Sequence, residues 1–106
     1  MPDTLKIILT TVGRRLDAER IARALVREKL VACANIFPRV VSVFRWKGKV
    51  QREREVAILL KTRSGRVKKA IQRLLALHPY DVPAVEVWNV TDVPKAFRKW
   101  VEGETS

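Results

Sequence analysis

A chain of 106 residues with 47% hydrophobic and 31% charged positions is expected to form one domain with a packed core, which excludes a disordered segment. One Cys and one His rule out an intrachain disulfide framework and a zinc or copper cage within a single chain, and the lone thiol fits a reducing, cytoplasmic setting. The net charge of +11 raises nucleic acid and other polyanions as partners, but the basic residues are spread through GRR, REK, RWKGK, KTRSGRVKK and FRKW, a dispersal typical of a solvated surface.

The chain opens with MPDTLKIILTTVGRR, whose apolar run is short, broken by Lys6 and followed by no small-residue cleavage site. Neither a signal peptide nor a membrane span is expected there. Within it, Leu5–Val12 is β-branched and apolar with little alternation, the pattern of a strand covered on both faces. Asp17 offers an N-cap, and AERIARALVREKL sets Ala18, Ile21, Ala22, Leu25 and Val26 on one helical stripe. Residues 31–46 predict a long second strand, with a bulge or an edge at Pro38, which has no N–H to give a ladder. WKGKV turns the chain at Lys47 and Gly48, and residues 49–62 return as a third strand whose VAILL is again continuously apolar. Ser64 caps a helix to about Leu77, with Val67, Ile71, Leu74 and Leu75 inward. Val85–Val90 reads as a fourth strand, and Pro94 opens a last helix of about one and a half turns in which Phe97, Trp100 and Val101 share a face.

The order βαββαβ plus a C-terminal helix is the split βαβ, ferredoxin-like version of an α+β fold, with the first and third strands central. Right-handed crossovers place both main helices on one face of the sheet. The short last helix cannot cover the other face, so a homo-oligomer is expected. The second and third strands are longer than the others and form an overhanging hairpin suited to pairing with a neighbouring chain.

Chemistry has few places to reside. LHPYDVPAVEV holds the only His and the only Tyr. His78 before Pro79 reads as the end of a helix, where a donor meets the last carbonyls, and Tyr80 and Asp81 on the following turn make it a candidate site. A transition-metal site there would need residues from more than one subunit, or carboxylates. Cys33 reads as a small buried hydrophobe with no nucleophile motif around it, and the chain has no P-loop, HExxH or G-x-S-x-G, so no enzyme is expected. Gly13, Arg14 and Arg15 sit between a strand and a helix N-terminus, a place that can receive an anion. Nucleic-acid readout by such a sheet needs aromatics on a central strand, and KVQREREVAILLKT has none, so nucleic acid is not the favoured partner.

LVACANIFP after the first helix, SVFRWKGKVQREREVAILLKTR across the hairpin and LHPYDVPAVEVWNV near the end together resemble the CutA divalent-cation-tolerance family. The resemblance implies a small cytoplasmic, non-enzymatic protein with a ferredoxin-like fold, assembled as a homotrimer similar in architecture to PII signalling proteins and linked to tolerance of divalent metals, copper especially. By position it implies a ligand pocket of Asn35, Trp46, His78, Tyr80 and Asp81 between subunits. It also implies a metal contact at Cys33 and His78, with a divalent metal ion or small ligand as partner and no obligatory cofactor. Asp81 stands where many relatives carry Glu, and Ala84 where a second acidic residue is common, so one carboxylate is shortened and another removed. The reading is a homotrimeric metal-linked or small-ligand binding or signalling protein, with a basic nucleic-acid or polyanion-binding protein as the alternative.

Overall fold

The computed structural model describes residues 4–106. Its elements follow in the order β1 (Leu5–Val12), α1 (Arg15–Arg27), β2 (Cys33–Trp46), β3 (Lys49–Arg63), α2 (Ser64–Leu77), β4 (Val85–Val90) and α3 (Lys95–Glu104). The strands pair antiparallel in the order β2-β3-β1-β4, an α+β fold in which the two continuously apolar strands, β1 and β3, are the central ones.

Alternation along the strands divides the sheet into two unequal faces. Ile8 and Val12 of β1 and Val56, Ile58 and Leu60 of β3 pack against Ala18, Ile21 and Leu25 of α1 and Ala70 and Leu74 of α2. The opposite face has a smaller core of Leu5, Ala32 and Val101, with Val90 and Val93 packed against it. Here α3 covers one end of the sheet only. Ile7, Leu9 and Leu59 remain partly exposed on that face, with Phe37 and Trp88 48% and 44% exposed beside them.

The β1–β3 ladder runs from Leu5 opposite Arg63 to Val12 opposite Val56, whereas the β2–β3 ladder continues to Trp46 opposite Lys49. The far half of the hairpin therefore projects beyond the sheet with no third strand beside it. Its register shifts between Phe37 and Val40, which places the expected bulge at Pro38 and Arg39. Lys47 and Gly48 close the hairpin with φ of 50° and 80°, the two positive values that a two-residue type I′ turn requires.

Four local expectations are corrected. The N-cap of α1 is Arg14, not Asp17, which lies in the first turn, where its charge favours the positive end of the helix. The N-cap of α2 is Arg63, not Ser64, which is the first residue of the helix because β3 runs directly into it. Val26 and Leu75 are 40% and 47% exposed, because α1 and α2 bury narrower stripes than the sequence periodicity suggests. Finally, α3 spans 10 residues, nearly three turns at about 3.6 residues each, rather than one and a half. Its C-terminal end is held by Arg63 and Arg66, whose guanidiniums donate to the Thr105 carbonyl at 2.8 and 2.7 Å.

Candidate functional site

Pro79 disfavours helical backbone at the residue before it, so α2 stops and His78 becomes its C-cap, with φ −71° and ψ 132°. The His78 amide still donates to the Leu74 carbonyl at 2.9 Å. This places a ring that is 8% exposed against the end of β1. The backbone N–H of Tyr80 lies 3.2 Å from Nδ1 and can only donate, so Nδ1 is an acceptor. The ring hydrogen is then on Nε2, shared between the Thr11 carbonyl at 3.0 Å and the Thr10 hydroxyl oxygen at 3.1 Å. Burial pulls the ring's pKa below its ordinary value, against the opposing Thr11 hydrogen bond and the charges of Asp17 and Glu55. His78 is held neutral, with both nitrogens occupied.

Tyr80 continues the network. Its ring lies 4.9 Å from the imidazole, tilted by 58°, and its hydroxyl donates to Glu55 Oε2 at 2.7 Å. Burial pushes the phenol upward, and the hydrogen bond to Glu55 and the charges of Glu55, Glu53 and Asp17 push it further. Tyr80 therefore stays a protonated donor. The cluster fixes the turn after α2 to β1 and to the start of the projecting hairpin, and offers neither a general base nor an activated nucleophile.

The other candidate residues lie elsewhere in the chain. Asp81 is exposed on the turn next to Tyr80. Trp46 is at the hairpin tip, 47% exposed, with the Lys47 ammonium 6.0 Å from its ring centroid. Its partner Lys49 stands six positions before Glu55 along β3, roughly 20 Å of strand, so Trp46 and Tyr80 do not meet within one chain. Asn35 is exposed on β2 opposite Leu59, and Cys33 is half-buried opposite Lys61.

Lys61 in turn pairs with Ile7, which leaves Cys33 two strand spacings and several residues from the Thr10–Thr11 segment, roughly 15 Å. Burial raises the Cys33 thiol above its usual range despite the Lys61 charge. Cys33 and His78 therefore do not pair within the chain. Among the described residues no three of His, Cys, Asp and Glu converge, so a single chain's donor set does not fit a transition-metal cage.

Nothing in the sequence marks Glu55 for this cluster, whereas Thr10 carries one signal. A threonine inside a strand covered on both faces must find a buried partner.

With this geometry established, the relatives are informative. A family model of the CutA1 divalent ion tolerance protein matches residues 6–104. The divalent-cation tolerance protein CutA of Thermus thermophilus is 36% identical over 100 residues, covering 94% of this chain and 97% of its own. That of Pyrococcus horikoshii is 37% identical over 99 residues, covering 93% and 96%. The crystal structure of the divalent ion tolerance protein CutA1 from Ehrlichia chaffeensis superposes with a TM-score of 0.93 at 36% identity, over 100% of this chain and 99% of that one. Sequence and architecture agree over nearly the full length: the chain belongs to the CutA1 divalent ion tolerance family.

Proposed function

We propose that this chain is one subunit of a ferredoxin-like homotrimer that acts in divalent-cation tolerance as a cytoplasmic binding or signalling protein, without catalysis. The observation that carries the reading is the half-covered sheet. Ile7, Leu9, Leu59, Phe37 and Trp88 form an apolar face that α3 leaves open, and the projecting hairpin adds exposed Val41, Val43, Phe44 and Val50. Apolar surface on this scale belongs in an interface. Strand edges that pair head to tail must close to avoid a filament, and membership of the family supports a ring of three.

A ligand pocket containing Asn35, Trp46, Tyr80 and Asp81 is assigned to the space between subunits. Trp46 and Tyr80 are too far apart to share a site within one chain, and the hairpin carries Trp46 well beyond its own sheet. In this pocket His78 is the residue that orients Tyr80. A divalent ion such as copper would draw on exposed carboxylates, and on Cys33 only where a neighbouring chain adds donors.

Sedimentation at micromolar concentration tests the assembly. The expected mass is that of three 12.2 kDa chains, and a folded monomer would overturn the reading. Calorimetric titration with cupric ion tests the pocket. Binding is expected to survive His78→Gln and to disappear when the trimer is dissociated, and retention of binding by monomers would contradict an intersubunit site.

A further inference from the structure

The turn between β1 and α1 borders a recess of about 540 Å3, lined on one side by Gly13, Arg14 and Arg15 and on the other by Pro38 and Arg39. That volume falls within the range of about 300 to 1,000 Å3 common for small-ligand sites. Two separate segments contribute the basic residues of the lining. Arg14 and Arg15 come from the turn, and Arg39 comes from the point in β2 where the register with β3 breaks, leaving Pro38 and Arg39 outside the regular ladder.

No acidic residue lines the recess. Among the described residues the side chains of Arg15 and Arg39 make no hydrogen bond or ion pair. The carboxylate that Arg14 meets belongs to Asp17, at 3.5 Å, and is shared with Arg20. Three arginines against the single carboxylate of Asp17 leave an excess of positive charge at the recess, which a bound anion offsets.

We propose that this recess binds a small oligophosphate, inorganic pyrophosphate or triphosphate. Guanidinium forks match phosphate oxygens in pairs, and a chain of linked phosphates offers the residues of the two segments more such oxygens and more negative charge than a single phosphate does. No aromatic side chain lines the recess, so a nucleobase finds nothing there on which to stack, which favours the inorganic chain over single-stranded nucleic acid.

The test is calorimetric titration of the intact protein with inorganic phosphate, pyrophosphate and triphosphate, repeated with a short DNA duplex as competitor. Affinity is expected to rise along the phosphate series to one triphosphate per chain. The double variant Arg15→Ser, Arg39→Ser should weaken triphosphate by about tenfold to a hundredfold, the effect of losing two charge-assisted contacts. Lys68→Ser, Lys69→Ser on the exposed part of α2 removes the same charge and should leave affinity within about twofold, since screened charges at a distance contribute little. Circular dichroism checks that both variants fold. Equal weakening in the two double variants, no triphosphate binding by the parent, or displacement of triphosphate by the duplex would each overturn the proposal.

Discussion

Both nitrogens of the His78 ring are engaged, so the residue contributes through the bonds it makes and not through a free lone pair. Removing the ring strands the Tyr80 amide and the Thr11 carbonyl near a buried surface. His78→Ala is therefore expected to cost about 1–3 kcal/mol of unfolding free energy, measurable in urea. A pH dependence follows from the same environment. The folded state favours the neutral ring, whereas the unfolded chain takes a proton near pH 6.5. Below that pH the unfolded state holds more protons than the native one, so the contribution is complete above about pH 6.5 and declines as pH falls. Urea midpoints between about pH 7.5 and 5.5 should show this decline in the parent and lose it in His78→Ala. That His78 ends a helix is legible from the Pro79 that follows it. Its partners are not, because Thr10 and Glu55 are brought to the turn by strand pairing across 68 and 25 positions of chain.

Among the elements, strands were easier to read than helix ends. Leu5–Val12 and Val85–Val90 carry their own apolar pattern, and Pro38 marks the bulge because it lacks a ladder donor. The start of α1 is set by something the local sequence does not display: β1 ends at Val12 and only two residues remain before the helix, so the cap falls on Arg14 although Asp17 is the better capping residue. The length of α3 is likewise decided by distant groups, since Arg63 and Arg66 complete its last turn. The end of α1 allows a direct test. Lys29 has φ 61° and follows the C-cap Glu28, a position where an L side chain crowds its own carbonyl. Its amide donates to the Val26 carbonyl and that of Leu30 to the Leu25 carbonyl, so the turn is fixed and cannot relax the strain. Lys29→Gly should stabilise the protein by about 0.5–1 kcal/mol, the left-handed penalty less the glycine entropy. A lower unfolding midpoint in the glycine variant would contradict this account of the cap.

At the scale of the whole molecule, two features oppose each other: an apolar face that favours association and a net charge of +11 that resists it. Trp88 lies on the outer strand β4 and is 44% exposed, so a charge there leaves the chain's own core intact. Trp88→Glu is expected to convert the assembly into folded monomers in sedimentation experiments, because a carboxylate cannot enter an apolar contact unpaired. The proposed trimer would carry three copies of so large a charge, so apolar burial and strand pairing are expected to hold it, with carboxylates such as Glu53, Glu55 and Glu86 moderating the repulsion. Salt discriminates between this account and one based on ion pairs. At about 1 M the screening length is roughly 3 Å, which suppresses repulsion between subunits and surface ion pairs alike while leaving apolar burial in place. The sedimentation coefficient should therefore stay that of the trimer from about 0.1 M to about 1 M salt. Dissociation at high salt would show instead that charge pairs across the interface hold the subunits together.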